Sequence, residues 1–471
     1  MSWRAALLAC ALYGCGHAAR PLARADSSRS VRACSYTAEV VQARPLALEV
    51  SAHCTGRHLT GFSAADVAAV PFIRVLTTSA PFSPGAWSFG AAQGEARLRY
   101  RVDLEGMAAH AQRFDMAQRF AESLVAPASS FLLVPEPLEV GVPIDLTLKL
   151  PPGVDFASGL LPSGAPNEHR FALQAHEMSV ATYAIFGHFG RSALTLDGSS
   201  VQLVIADGAL DLPTATLQRW VAHGARAVAD FYGHFPVPNT LVLVLPVRER
   251  QEVVFGKVLP QSSPGVALLI GQHTSEPALY RDWILVHELF HLGFPSFHEE
   301  AKWLDEGSAT YFEPLLRARA GDLTELEVWT QFARYMPQGL RAIEHEGLEH
   351  PSDFRAVYWG GAIACLLADV AARQRSHGAL GLQEGFRAVL DAGGNASQVW
   401  SLAQVTAIID RALDAPILRD IIEKHALTGT PVALPQLLAR LGVVQTPDGA
   451  ITLDDHAELA AIRHAITYGT P

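Results

Sequence analysis

The chain has 471 residues, which is too long for one ordinary hydrophobic core and predicts about three domains. Hydrophobic residues make up 49% and charged residues 18% of the chain, a globular composition that excludes a largely disordered protein. The formal net charge is −11 at pH 7 and no Lys/Arg-rich stretch is present, so the sequence argues against a nucleic-acid partner.

Residues 1–25 have the layout of an export signal, with an early arginine, an apolar stretch and then small residues. The apolar stretch is shorter than the ~18 residues that a membrane-spanning helix needs. Within it, "LYGC" resembles a bacterial lipoprotein box, which would make Cys15 the lipidated first residue of the mature chain. Cleavage near Ala25 without a lipid and a buried N-terminal helix are the alternatives. We therefore expect an exported protein, either secreted or placed in a bacterial periplasm or cell envelope as a lipoprotein.

The cysteines beyond the signal have two different predicted roles. Cys34 and Cys54 flank a strand-like stretch, and a disulfide between them would persist in an exported chain. Two free thiols are the alternative. Cys365 lies in the apolar stretch "GGAIACLLADVAA" and is expected to pack there as a small hydrophobic side chain.

The residue pattern changes twice along the chain and predicts three domains after the signal. From 26 to 195, stretches such as "LRYRVDLEG" and "IDLTLKLPPG" alternate apolar and polar residues between Pro/Gly clusters, which indicates a β-rich domain. From 196 to 345, the helical stretch "DLPTATLQRWVAHGARAVADFYGHF" is followed by the strand-like "TLVLVLPV" and "GVALLIG". From 346 to 471 the pattern is mainly helical.

The run "ALYRDWILVHELFHLGFP" is apolar on nearly every side and predicts a buried helix. Within it, His287, Glu288 and His291 form the pattern H-E-x-x-H. Residues i and i+4 share one helix face, so both imidazoles can bind one ion while Glu288 reaches a water on that ion. Gly293 and Pro295 are expected to end the helix. The alternative is a pair of core histidines that bind backbone carbonyl groups.

A third metal ligand is expected in "KWLDEGSATYFEPL", because His, His and Glu form one known donor set of catalytic zinc. Glu306 is the first candidate. The small residues 307–309 after it would let its helix approach the H-E-x-x-H helix closely. Glu313 is the reserve ligand, followed by Glu299 and Glu300.

The stretches "HELFH" and "WLDEGSATYFE" together resemble the gluzincin metallopeptidases, which include thermolysin, the aminopeptidase N family and the glycyl aminopeptidase family. "FYGHFPVPNTLVLVLPV", "VYWGGAIACLLADVAAR" and "IIEKHALTGTPVALPQLLARLGVV" are similar to segments of the glycyl aminopeptidase family in the same order. The resemblance implies zinc ligation by His287, His291 and Glu306. It also implies that Glu288 is the general base and that Tyr358 stabilises the tetrahedral intermediate; a core tyrosine is the alternative at position 358.

The resemblance also implies a fold class and a function. The fold would be multidomain α+β, with an N-terminal β-rich domain, a thermolysin-like zinc catalytic domain and a helical C-terminal region. The function would be that of a zinc metallopeptidase with one Zn²⁺ per chain, which cleaves a peptide or protein substrate with a zinc-activated water and Glu288 as general base. No protein partner is inferred.

Three features depart from the pattern of the family. The 14 residues between His291 and Glu306 make a shorter connection than expected, and Gly360 stands where a lysine usually follows the tyrosine. In "VVFGKVLPQSS", Val258 or Leu259 stands where the aminopeptidases place the glutamate that holds the substrate's α-amino group.

The missing glutamate leads us to predict an endopeptidase. An ammonium group that is desolvated without a partner is bound poorly, whereas an apolar strand edge can bind an extended peptide through its backbone. One alternative is an aminopeptidase of the glycyl aminopeptidase type that uses Glu252 or Glu313 as its amino anchor. The other is an inactive, peptidase-like binding protein.

Overall fold

The computed structural model describes residues 31–79, 88–110, 115–137, 141–165, 168–173, 175–178, 182–259, 263–297, 301–348 and 354–469. The predicted export signal, and with it Cys15, lies outside these residues. The described strands are β1 (Val31–Gln42), β2 (Ala47–Ser63), β3 (Ile73–Thr78), β4 (Ser88–Asp103), β5 (Gln118–Phe120), β6 (Ser123–Pro127), β7 (Val134–Glu136), β8 (Ile144–Lys149), β9 (Asp155–Ser158), β10 (Leu161–Pro162), β11 (Arg170–Leu173), β12 (Tyr183–Gly187), β13 (Phe189–Leu196), β14 (Ser199–Ala206), β15 (Asn239–Val247), β16 (Val253–Leu259), β17 (Gly265–Gly271), β18 (Val443–Gln445) and β19 (Ile451–Leu453).

The described helices lie mostly after the β-rich part of the chain. They are α1 (Leu104–His110), α2 (Thr214–Tyr232), α3 (Glu276–Arg281), α4 (Ile284–Phe290), α5 (Lys302–Arg319), α6 (Glu325–Tyr335), α7 (Pro337–Glu346), α8 (Gly361–Arg375), α9 (Leu382–Asp391), α10 (Leu402–Ala412), α11 (Ile417–Ile421), α12 (Leu434–Arg440) and α13 (Ala460–Tyr468). Among the described residues, no helix is both long enough and apolar enough to cross a membrane.

The N-terminal part is β-rich, as the alternating pattern predicts. One sheet has the order β10-β11-β8-β1-β2-β4-β3 with β7 paired to β2, and a second has the order β5-β6-β12-β9. The "IDLTLK" strand β8 buries every second side chain, which is the period of a strand with one face on a core. Cys34 of β1 lies opposite Cys54 of β2, and a disulfide joins them. The predicted bridge is thus confirmed, and Cys365 is buried and free, as predicted.

The middle of the chain forms a five-stranded sheet of order β13-β14-β15-β17-β16. The apolar runs predicted as strands are β15 and β17, and they pair in parallel in the interior of this sheet. Strand β16 pairs antiparallel to β17 at one end of the order. The predicted boundary at residue 195 falls within β13, the strand at the other end.

The predicted single helix over "ALYRDWILVHELFHLGFP" is two helices, so this prediction is wrong in one respect. Asp282 separates α3 from α4 with an extended backbone, φ −79° and ψ 147°. Its Oδ1 accepts a hydrogen bond of 2.8 Å from the Ile284 backbone N–H, a group that the new helix leaves without an intrahelical partner. Every residue of α4 is buried, as predicted, and a 3₁₀ turn, His291–Gly293, ends the segment.

The C-terminal region is helical and packs onto α5. Arg319, at the end of α5, donates hydrogen bonds of 2.8 Å to the Ile466 carbonyl and 2.9 Å to the Thr467 carbonyl in the last turn of α13. Arg463 of α13 is 1% exposed and forms an ion pair with Glu325 of α6. The last described stretch of the chain is therefore bound to the helix that carries Glu306.

Candidate metal centre and active site

Two histidines and one glutamate bring three ligand atoms to one point between α4 and α5. His287 lies on α4, His291 opens the 3₁₀ turn after it, and Glu306 lies near the start of α5. Nε2 of His287 is 3.3 Å from Oε2 of Glu306 and 3.3 Å from Nε2 of His291. Nε2 of His291 is 3.5 Å from the same Oε2 atom. The two imidazoles thus face each other and a carboxylate, rather than the backbone carbonyl groups of the alternative interpretation.

The size of this triangle fits a zinc ion. Tetrahedral zinc with bonds of roughly 2.0–2.2 Å to nitrogen and oxygen separates neighbouring ligand atoms by about 3.3–3.5 Å. The observed separations of 3.3, 3.3 and 3.5 Å agree with this range. Within the described part of the chain, this is the one group of three His, Cys, Asp or Glu residues whose ligand atoms converge in this way. Three protein ligands leave one coordination position for water or substrate.

Asp305 supports His291 from the side that faces away from the triangle. Nδ1 of His291 is 2.8 Å from Oδ1 of Asp305, and a carboxylate at this nitrogen fixes the ring orientation and increases the basicity of the ligand. Burial lowers the pKa of His291, but Asp305 and Glu306 outweigh burial and raise that pKa well above its usual range. Burial raises the pKa of Glu306, but hydrogen bonds from His287 and His291 bring it well below the usual range. The site is therefore arranged to hold positive charge.

Glu288 is held by strand β16. Gly256 of β16 lies so close to α4 that a Cβ atom there would be 2.8 Å from Cγ of Glu288. This close approach lets the Val258 backbone N–H donate a hydrogen bond to the Glu288 carboxylate. Burial raises the pKa of Glu288, and the charges of His287 and His291 oppose that effect. The carboxylate is thus oriented next to the metal ligands without being one of the three that converge.

Tyr358 also lies at the metal triangle. Its ring stacks on the ring of His287, with centroids 6.0 Å apart and planes at 15°. The tyrosine belongs to a π-helical turn, Ala356–Gly360, that continues directly into α8. Such turns are frequent at functional sites. The structure therefore brings the tyrosine of "VYWGG" next to the ligands that lie far from it in the sequence.

The first small residue after Glu306 approaches a helix that the sequence did not indicate. Gly307 lies against Gly361 at the start of α8. A Cβ atom on Gly361 would be 2.8 Å from Cα of Gly307 and would also contact the Trp303 carbonyl oxygen. Because Gly307 follows Glu306 and Gly361 lies three residues after Tyr358, this contact fixes the position of the tyrosine relative to the metal ligand.

We expect Gly361→Ala to displace Tyr358 while the three metal ligands stay together. The added methyl group meets backbone atoms, so α8 must move away from α5, and a shift of about 1 Å in a reacting group can lower kcat roughly 10- to 100-fold. The measurement is kcat for a peptide substrate together with the zinc content of the variant. Gly190→Ala is the matched control, because a Cβ atom there would be 3.7 Å from Ile205, an ordinary contact distance. Equal kcat values for both variants would contradict this role of the glycine contact.

The reserve residues of the sequence analysis have other partners. Glu313 is buried and accepts a hydrogen bond of 2.8 Å from Nη1 of Arg317. Glu252 forms an ion pair with Arg250 outside the metal triangle. Glu299 and Glu300 lie outside the described residues. Both Glu313 and Glu252 are therefore already paired with an arginine.

The position of the missing glutamate is occupied by apolar side chains. Leu259 is 1% exposed and packs in a core cluster with Tyr183 and Ile185 of β12 and with strands of the five-stranded sheet. Val258 packs on the side of β16 that contains the helices. Strand β16 thus presents no carboxylate at either candidate position, as the sequence indicates.

Three contributions to the site were missed in the sequence. They are the Asp305 carboxylate, the Val258 backbone N–H and Gly361. The acidic residue directly before Glu306 was a usable signal, because a carboxylate commonly binds the second nitrogen of a metal-bound histidine. The other two contributions depend on contacts between distant segments, for which the sequence carries no local signal.

Comparisons with known proteins agree with this architecture. No protein-family model and no curated protein matches the chain. An aminopeptidase N family protein from Idiomarina loihiensis is similar with a TM-score of 0.67 and 16% identity, over 87% of this chain and 78% of that one. An M1 zinc metallopeptidase from Deinococcus radiodurans gives a TM-score of 0.54 and 16% identity, over 87% and 96%. A mutant M1 zinc metallopeptidase from the same organism, bound to Tyr-Ser-Ala, gives 0.52 and 16%, over 84% and 94%.

At this level of identity, the comparisons establish the fold. The chain has the fold of the M1 zinc metallopeptidases, with a β-rich N-terminal part and a helical C-terminal region. The predicted relation to the aminopeptidase N family is therefore confirmed at the level of the fold. The closer likeness to the glycyl aminopeptidases and to thermolysin finds no support in these comparisons.

Proposed function

We propose that the chain is a zinc-dependent metallopeptidase that binds one Zn²⁺ through His287, His291 and Glu306. The observation that carries this proposal is the triangle of ligand atoms, whose 3.3, 3.3 and 3.5 Å sides fit tetrahedral zinc. The M1 fold supports it, because the relatives that share this fold are described as zinc metallopeptidases. The predicted domain boundaries and the description of the middle domain as thermolysin-like belong to the same proposal.

Zinc bound here would supply Lewis acidity, which acidifies water and polarises a carbonyl group. The residues of the chain supply the remaining functions. Glu288, held by the Val258 N–H, accepts a proton from the attacking water and passes it to the departing amine. Tyr358, whose ring stacks on that of His287, donates a hydrogen bond from its hydroxyl group to the oxyanion that develops on the substrate.

An aminopeptidase is the form of this activity that the comparisons favour over the endopeptidase predicted from the sequence. The similar protein from Idiomarina loihiensis is described as a member of the aminopeptidase N family. One structure of an M1 zinc metallopeptidase mutant is described as bound to L-arginine and another structure as bound to Tyr-Ser-Ala, and both ligands carry a free α-amino group. We therefore propose that the substrate is a peptide with a free amino terminus.

Cleavage of internal peptide bonds is the second candidate, and one observation favours it. Strand β16 places Val258 and Leu259 where a glutamate would bind the amino group, and Leu259 is buried in a core cluster. Glu252 and Glu313 are paired with arginines and do not replace that glutamate.

We expect an unblocked peptide to be cleaved about tenfold faster than the same peptide with an acetylated amino terminus. We expect this preference for the unblocked peptide to be small, because β16 carries no carboxylate that could pair with the ammonium group of the substrate. The measurement is kcat/KM for the matched pair, with and without a zinc chelator, which should abolish both activities. Equal or faster cleavage of the acetylated peptide would contradict the aminopeptidase proposal and favour the endopeptidase.

We also propose that the chain is exported and lipidated at Cys15. The Cys34–Cys54 disulfide supports export, because such bridges persist in oxidising compartments. In a bacterial host, the wild-type chain should fractionate with membranes and the Cys15→Ser variant should become soluble. Unchanged membrane association of Cys15→Ser would contradict lipidation.

A further inference from the structure

The two metal-site histidines differ in what binds their second nitrogen. Nδ1 of His291 contacts Asp305, but Nδ1 of His287 has no hydrogen-bond partner among the described residues and is fully buried. Nε2 of His287 belongs to the metal triangle, so a bound metal at Nε2 leaves the ring proton on Nδ1. Buried donors are rarely left without an acceptor, so this N–H requires one.

The way that α4 and α5 lie together indicates where that acceptor is. At one end of the pair, His291 contacts Asp305 near the start of α5. At the other end, Nη2 of Arg317 donates a hydrogen bond of 3.3 Å to the carbonyl of Tyr280, which precedes α4. The two segments therefore run in opposite directions, and the α5 residues beyond Glu306 lie beside the start of α4.

Glu313 lies in this part of α5. It is seven residues after Glu306, so both carboxylates project from the same face of the helix about two turns apart. The two nitrogens of an imidazole ring point in nearly opposite directions. Because Nε2 of His287 points to Glu306, its Nδ1 points away from Glu306. Glu313 is the next carboxylate along this face of α5.

Glu313 has an oxygen atom that is available as an acceptor. The side chain is buried, and its Oε1 accepts a hydrogen bond of 2.8 Å from Nη1 of Arg317. Its Oε2 makes no hydrogen bond within the described part of the chain. Burial raises the pKa of Glu313, and the charges of Arg317 and His287 oppose this effect, which places the imidazole within electrostatic range of the carboxylate.

We propose that Glu313 is a positioning residue that accepts the Nδ1 proton of His287 through one buried water molecule. This proposal rests on the proposed zinc site. A water is the expected link because the two side chains do not bond directly, and buried waters usually join polar groups that otherwise lack partners. Glu313 would then do for His287 what Asp305 does for His291, so that each zinc-binding imidazole has its own carboxylate.

The test compares zinc dissociation from the full chain and its variants, using a chromogenic chelator to capture the released metal. Glu313→Gln keeps the size of the side chain but removes one acceptor oxygen, and it should release zinc roughly 10-fold faster. Because this change leaves Arg317 buried without its partner, the apolar double variant Glu313→Leu/Arg317→Met serves as a second test that removes both charges. It should release zinc roughly 10- to 100-fold faster.

Arg317→Met alone is the matched control, because it disturbs the same buried pair but retains the Glu313 carboxyl group, which offers an acceptor oxygen whether it is ionised or protonated. It should release zinc more slowly than either Glu313 variant. Nitrogen-detected NMR of the zinc-loaded protein provides a second readout, in which the His287 Nδ1–H signal should shift in both Glu313 variants and not in Arg317→Met. Wild-type release rates in both Glu313 variants, or equally fast release from Arg317→Met, would overturn the proposal. If the wild-type chain binds no zinc, the proposed function itself fails.

Discussion

Glu288→Gln should lower kcat for peptide hydrolysis by roughly 10²- to 10⁴-fold while one zinc ion stays bound. The glutamine oxygen can still accept the hydrogen bond from the Val258 N–H, so the side chain should keep its place beside β16. What it loses is the ability to take a proton from the attacking water. The metal ligands are unchanged, which separates loss of the general base from loss of the metal. The measurement is kcat together with zinc content and thermal stability.

Glu276→Gln is the control for this variant, since Glu276 lies on α3 and forms an exposed ion pair with Arg219. It removes the same charge from a neighbouring helix and should leave kcat unchanged. Glu288→Gln with kcat within a few-fold of the wild type would mean that another group moves the proton. Loss of zinc from Glu288→Gln would instead show that the carboxylate is a metal ligand.

Glu306→Ala and His291→Ala should each weaken zinc binding by more than about 100-fold and abolish hydrolysis. Each substitution removes one of the three metal ligands. Loss of a residue that only supports a ligand lowers zinc affinity roughly 10- to 100-fold, so loss of a ligand should lower it further. Asp305→Ala removes the carboxylate 2.8 Å from Nδ1 of His291 and should give an effect within that smaller range. The measurement is the zinc dissociation constant from competition with a chelator of known affinity.

The relative losses of zinc affinity in these variants distinguish metal ligands from supporting residues. Zinc binding by Glu306→Ala at wild-type affinity would show that Glu306 is not the third ligand, and Glu299 or Glu300 would then become the candidates. An effect of Asp305→Ala as large as that of His291→Ala would show that Asp305 is itself a ligand. Circular dichroism of each metal-free variant controls for unfolding.

The two histidines of the metal site could be predicted because their spacing is local. His287 and His291 lie one helical turn apart, so the sequence alone places both on one face. Glu306 could be identified from its resemblance to a known motif and from the donor set that zinc requires. Tyr358 was accessible only through the resemblance, because nothing near position 358 indicates that its ring stacks on His287.

The parts that could not be predicted depend on how distant segments pack. The small residues after Glu306 indicated a close helix contact, but which helix they meet is decided by the position of α8, and Gly361 was not distinguished from other glycines. The break at Asp282 was missed because an apolar run looks alike in one helix and in two short ones. The alternating pattern predicted the N-terminal strands well, because burial of one sheet face imposes a period of two.

We propose that one zinc ion at the triangle of His287, His291 and Glu306 makes this chain a peptidase. The most direct test is to titrate the metal-free chain with zinc while following hydrolysis of a fluorogenic peptide that has a free amino terminus. We expect activity to rise linearly with added zinc and to reach a plateau at one equivalent per chain. Zinc binding at one equivalent without hydrolysis would overturn the peptidase proposal and identify an inactive, peptidase-like binding protein instead.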